Sequence, residues 1–184
     1  MVAQTVYLFT GYPAAGKTEL ANMLSTEKEI TLFEMGELAR EVALEETDVT
    51  DETLDVETLS TVSNTLREKH GGDIYAERLC ERMSTDEDVI ISGVRSSDEI
   101  EYFEDNFEEV ITIAVKSPFN IRFERFVERE TEEDAEDYIQ KDLENLDKDE
   151  RKRGIENAIA NADIVITNTQ SVETSFVSLL EELN

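Results

Sequence analysis

The stretch "GYPAAGKT", residues 11–18, constrains this chain more than any other. It satisfies G-x-x-x-x-G-K-[ST], and its context matters as much as its letters. The apolar run at residues 6–9 precedes it, and a helical pattern opening at Lys17 follows it. Strand, glycine loop and helix in that order bring backbone N–H groups around an anion at the positive end of a helix. Gly11 and Gly16 let the backbone curl, and Tyr12, Pro13, Ala14 and Ala15 span the turn between them. On that chemistry Lys17 bridges the β- and γ-phosphates of ATP, and the Thr18 hydroxyl ligates Mg2+.

Four further apolar runs read as strands, at residues 30–33, 89–91, 110–115 and 164–166. They are near-continuously hydrophobic, as parallel strands covered on both faces should be. Helical patterns fall between them at about 17–26, 36–46, 55–69, 72–84, 96–105, 118–130, 132–147, 150–161 and 171–183. This alternation predicts a three-layer α/β/α sandwich around a five-stranded parallel sheet. With 184 residues, two prolines and no Gly/Ser-rich linker, it reads as one domain over residues 1–184. Residues 45–55 read as an exposed connection.

Charge narrows the partners. Forty-five acids against 17 Lys and Arg leave a net −28. That is about one net negative charge per 320 Å² on a folded surface of roughly 9,000 Å². Such a surface repels itself at low salt and is screened in molar salt. The composition resembles that of proteins from salt-loving archaea, and it disfavours broad nucleic-acid binding. One cysteine, Cys80, excludes an internal disulfide and points to a reducing cytoplasm. The opening residues carry no basic leader, and no apolar run approaches the ~20 residues of a membrane span. The surface suggests no interface, so oligomeric state is open.

Ten arginines in so acidic a chain are informative. Arg40 follows the second strand in "FEMGELARE" and would reach an anion over the carboxyl edge of the sheet; the alternative is pairing with Glu37 or Glu41. Arg95 follows the third strand in "VIISGVRSSDE", where a guanidinium can grip an acceptor phosphate bidentately; the alternative is pairing with Asp98 or Glu99. In "SPFNIRFERFVERE", Ser117 and Pro118 start a helix. Phe119, Phe123 and Phe126 share one face, expected to pack on the core, and Arg122, Arg125 and Arg129 share another. A capping box at Thr131 and Asp134 would begin the return helix. Such a helical hairpin could close over a nucleotide, exclude water and bring arginines to the transferring phosphoryl group. The alternative is a stripe neutralised by neighbouring glutamates.

Together these segments resemble the P-loop nucleoside-monophosphate kinases. More narrowly, they resemble an archaeal family of adenylate-kinase and dephospho-CoA-kinase relatives. GYPAAGKT, MGELARE, SGVRSSDEIE, RFERFVERE and ADIVITN carry the resemblance over nearly the whole chain. It implies an acceptor-site insertion at about 36–84 and a lid at about 118–147. Glu37, Arg40 and Arg95 would bind the acceptor, Lys17, Arg122, Arg125 and Arg129 would serve the transfer, and Asn168 would lie near the adenine. For Asn168 a plain turn-forming role is the alternative. Members commonly have Asp where this chain has Ser92, and often Asp where it has Glu37. A serine can hold a water but brings no charge.

The remaining polar residues read as structural. His70 ends a helix before Gly71 and Gly72, Cys80 is a small buried hydrophobe, and "DERKRG" supplies charge near a helix end. "RETEEDAEDY" is a solvated face. The sequence thus predicts an ATP- and Mg2+-dependent phosphotransferase acting on a small nucleotide-like acceptor. The alternative is an ATP-binding regulatory protein with weak hydrolysis that switches partner binding.

Overall fold

Strand β1 (Thr5–Thr10) is buried along its whole length, and its alternate residues feed two cores. The computed structural model describes residues 4–83, 87–130 and 136–184. β1 lies at the centre of one five-stranded sheet with β2 (Thr31–Glu34), β3 (Val89–Val94), β4 (Glu109–Lys116) and β5 (Ile164–Thr167). The order is β2-β3-β1-β4-β5, and every pair is parallel. Val6 and Leu8 enter one core with residues of α2 (Met35–Glu46), α3 (Val56–His70), α4 (Ile74–Cys80) and α5 (Ser97–Asn106). Tyr7 and Phe9 enter the other with α1 (Lys17–Lys28) and α9 (Val172–Glu182). Burial on both faces is why these strands show no polar alternation. The predicted α/β sandwich is the fold.

The later part of the chain carries α6 (Phe119–Glu130), α7 (Glu136–Arg153) and α8 (Ile155–Ala160). Several boundaries differ from the sequence reading. The break expected at residues 148–149 falls at Gly154 instead, because "DKDERKR" is made of residues that tolerate a helix. Gly154 takes φ 92, a left-handed turn that ends α7 and starts α8. β2 runs one residue later than expected and so includes Glu34. The helix expected at 72–84 is shorter, Ile74–Cys80. β5 is covered on one face only, and Val165 is 46% exposed at this sheet edge. The capping box at Thr131 and Asp134 lies outside the described residues.

A larger correction concerns α6. Phe119, Phe123 and Phe126 do not join the cores; they are half-buried, with Phe119 and Phe123 stacked at 6.3 Å. Among the described side chains of this helix, the buried one is Arg122. The helix rests on a loop rich in outward carbonyls, and there a guanidinium is worth more than a phenyl ring. Among the described residues, no helix is long and apolar enough to cross a membrane.

Candidate functional site

The loop between β1 and α1 is fastened from outside. Tyr12 carbonyl accepts from Ala15 N–H at 3.2 Å and from Lys17 Nζ at 2.9 Å. Pro13 carbonyl accepts from Arg122 Nη1 at 3.1 Å. Ala15 carbonyl accepts from Asn168 Nδ2 at 2.9 Å and Arg125 Nη1 at 3.3 Å. With its carbonyls turned to these donors, a loop of this kind keeps its N–H groups on the concave side for an anion. Ala14 adopts φ 57, a left-handed geometry costing an alanine about 1–2 kcal/mol. The ring of outer bonds holds it there.

Asn168, which follows β5, is therefore a strut. It is buried, and its Oδ1 accepts from Ser175 Oγ at 3.0 Å while its amide reaches the loop. It also explains Gly16: a Cβ there would lie 2.2 Å from Asn168 Nδ2. Its side chain is engaged by Ala15 and Ser175, a structural role beside the place near the adenine that the resemblance implies. Asn168→Ala would leave Ala15 carbonyl and Ser175 Oγ short of a partner, at a cost of about 1–3 kcal/mol. Urea unfolding with and without ATP should show lower stability and a smaller ATP-induced gain than in the unmodified protein.

Arg122 and Arg125 are likewise committed. Arg122 is 4% exposed and forks onto Asp147 of α7, 2% exposed, at 2.8 and 2.7 Å. Its Nε donates to Ser117 carbonyl at 3.2 Å, and its guanidinium lies 5.0 Å from the Tyr12 ring centroid. Arg125 also donates to Asn168 carbonyl at 3.2 Å. Both arginines brace the loop from behind rather than standing free over it. The side chain of Arg129 lies outside the described part of the structure.

On the inner side, desolvation and the nearby Arg95 guanidinium push Lys17 down to about 8. Thr18 is exposed. Beyond Lys17, the end of β2 brings Glu34 beside Ser92 of β3, its register partner. Burial raises the Glu34 carboxyl above its usual value, and the Ser92 and Thr18 hydroxyls and Lys17 oppose this in part. The hydroxyls are close, yet Ser92 Oγ and Glu34 Oε1 are buried without a hydrogen bond of ordinary geometry. Buried polar atoms of this kind are met by a water, an ion or a ligand group. An exposed threonine hydroxyl, a carboxylate and a second hydroxyl fit Mg2+, which keeps several waters and takes few protein ligands.

Arg95 joins a cluster that the sequence only half revealed. Its backbone N–H donates to Glu99 Oε2 at 2.8 Å, and its Nη1 pairs with Glu150 at 3.0 Å. Glu150 Oε1 also takes Arg153 Nη1 at 3.2 Å, while Glu99 Oε1 takes Arg67 Nη2 at 2.8 Å. Arg67 and Arg153 line a polar cleft of about 330 Å³ with Asn64, Ser96 and Asp98. Arg40 is elsewhere engaged: it bonds Leu54 carbonyl at 3.1 Å and Asp51 at 2.8 Å, holding the 47–55 connection. Neither glutamate foreseen as its partner takes it. Glu37 remains close enough to Glu34 to raise its pKa further.

Residues 8–167 match the AAA domain family. A UPF0200 protein of Sulfurisphaera tokodaii is 33% identical over 181 residues, covering 97% of this chain and 94% of that protein. The chain belongs to the UPF0200 family. Among solved structures, TT1252 from Thermus thermophilus is similar at TM-score 0.64 and 18% identity over 99% of each chain. Shikimate kinase from Bacteroides thetaiotaomicron is similar at 0.58 and 14%, again over 99% of each. These likenesses show a P-loop kinase-like fold. In this UPF0200 chain Glu99, named only as an alternative partner of Arg95, and Arg153, read only as charge near a helix end, had weak signals for their place in the cluster. "SSDE" is a capping-box pattern whose glutamate turns to Arg95 N–H, and Arg153 stands three residues after Glu150.

Proposed function

We propose that this chain is an ATP- and Mg2+-dependent phosphotransferase moving the γ-phosphoryl group to a small nucleotide-like acceptor. Nucleoside monophosphates and dephospho-CoA are the acceptor chemistries this reading favours. One observation carries it: the Pro13 and Ala15 carbonyls are turned out onto Arg122, Arg125 and Asn168, which leaves the concave side of the loop and Lys17 to a phosphate, with the Arg95 guanidinium near enough to act on the Lys17 charge. Cations held this close gain when an anion lies between them. A donor phosphate on Lys17 and an acceptor phosphate on Arg95 would relieve that repulsion and stand next to each other. Arg67 and Arg153 line the neighbouring cleft, where Glu99 and Glu150 hold them in place.

The loop from Gly11 to Thr18 would hold the ATP phosphates. A largely apolar cleft of about 530 Å³, lined in part by Tyr12, Val115, Pro118, Ile159 and Thr167, suits the base. Thr18 would hold Mg2+, which when bound would offset the charge of the phosphates. The protein's share is to place acceptor and donor in line and keep water out, and no side-chain nucleophile is needed. On this reading the chain is one kinase domain, with residues 36–84 on the acceptor side and residues 118–147 as the lid. Its acidity suits a salt-rich cytoplasm and argues against nucleic-acid partners.

The test is ATP consumption in molar KCl with Mg2+ across nucleoside monophosphates and dephospho-CoA, with a no-acceptor control. Stimulation by one acceptor, lost in Arg95→Ala with ATP affinity kept, is the expected result. Slow hydrolysis indifferent to every acceptor would overturn it. That outcome would favour a second reading, an ATP-binding regulatory protein. The commitment of Arg122 and Arg125 to the loop's own carbonyls is the observation on its side.

A further inference from the structure

The phosphoryl transfer proposed above assigns no role to the carboxylate at the end of β2. Glu34 occupies the N-cap position of α2, where an acidic side chain ordinarily accepts from the helix's first N–H groups. It makes no such bond. Its carboxylate instead lies by the Thr18 and Ser92 hydroxyls and Lys17, and Oε1 is buried without a partner. Ser92 is fully buried, and its Oγ is also unpartnered. Two orphaned oxygens thus sit on neighbouring strands beside an exposed threonine hydroxyl.

The register explains the placement. Glu34 and Ser92 are direct partners in the parallel β2–β3 ladder. Partners in such a ladder point to the same face of the sheet from strands about 4.8 Å apart. A carboxylate on residue 34 therefore reaches much of the space that one on residue 92 would fill, and glutamate has the longer stem. Glu37, from the first turn of α2, adds negative charge beside it, and Lys17 is the facing cation.

The geometry points to Glu34 as the carboxylate that orients the water shell of nucleotide-bound Mg2+, with Ser92 Oγ bonding one of those waters. This rests on the loop binding ATP with Mg2+. Glu34 is a positioning residue, acting on the phosphates through the metal's waters.

The experiment measures ATP affinity by calorimetry with and without Mg2+, and Mn2+ binding in the presence of ATP by electron paramagnetic resonance. In the unmodified protein Mg2+ should tighten ATP. Glu34→Gln should cut that gain by at least about tenfold, the usual loss when an outer-shell partner is removed, while metal-free ATP binding is unchanged or tighter. The exchange Glu34→Ser with Ser92→Asp should restore the gain, because it returns one carboxylate to the same space. Circular dichroism melting of each variant separates folding from metal effects. An undiminished gain in Glu34→Gln overturns the inference, as does failure of the folded exchange variant to restore it. If the unmodified protein binds ATP in neither condition, the ATP reading falls and takes this one with it.

Discussion

Asp147→Ala is expected to destabilise the protein by about 3–5 kcal/mol, because it strands the Arg122 guanidinium in a buried site. For a chain of this length that corresponds to a fall on the order of 10 °C in melting temperature. Nucleotide affinity should fall with it, since the same guanidinium holds Pro13 carbonyl. The double replacement Arg122→Met with Asp147→Leu separates the two effects. Apolar side chains filling the same volume often match a buried ion pair in stability. The double variant should therefore recover most of the melting temperature while ATP binding stays weak. Recovery of both would mean that the pair only fastens α6 to α7 and leaves the loop alone.

Lys17→Met should behave in the opposite sense, losing ATP binding while the free protein becomes more stable. At about 8, Lys17 lies below its ordinary 10.5, so the fold disfavours its charge. That penalty is fully present below pH 8, where folded and unfolded chains both hold the proton. It is relieved between about pH 8 and 10.5, where only the unfolded chain still holds it, so stability contributed by this residue rises with pH. Bound phosphate reverses the bias by favouring the ammonium form. ATP binding above pH 8 should then take up a proton, and affinity should drop by up to about tenfold per pH unit. Calorimetry in two buffers of different ionisation enthalpy reads the proton directly. An affinity that stays tight and unchanged from pH 7 to 10 would show that Lys17 does not meet the phosphates.

The layers of the fold were legible because each core strand announces itself: residues 6–9 and 89–91 are apolar without a break, and both faces are covered. The loop was legible because its chemistry is local, written in eight consecutive residues. What was hidden depends on register and distance. Glu34 looked like a residue after a strand, and only the β2–β3 pairing sets it against Ser92. Arg40 looked suited to an anion, but its side chain closes on Asp51, eleven residues away in a connection with no regular pattern. The stripe of α6 was read correctly as two faces and assigned to the wrong sides. Helical periodicity separates phenylalanines from arginines, and it says nothing about whether the surface beneath is apolar or made of carbonyls.

The strut at Asn168 has a consequence for how the chain matures. It closes on Ala15 across 153 residues, so the loop gains its outer fastening only after β5 has docked beside β4. Contacts of such long range form at a high cost in chain entropy and come late in folding. A growing polypeptide would thus carry a nucleotide motif near its start long before it could grip a nucleotide. Once the last strand is seated, ligand binding adds its free energy to that finished state alone. On the proposed reading, nucleotide would act as a latch that rewards completed chains and ignores partial ones.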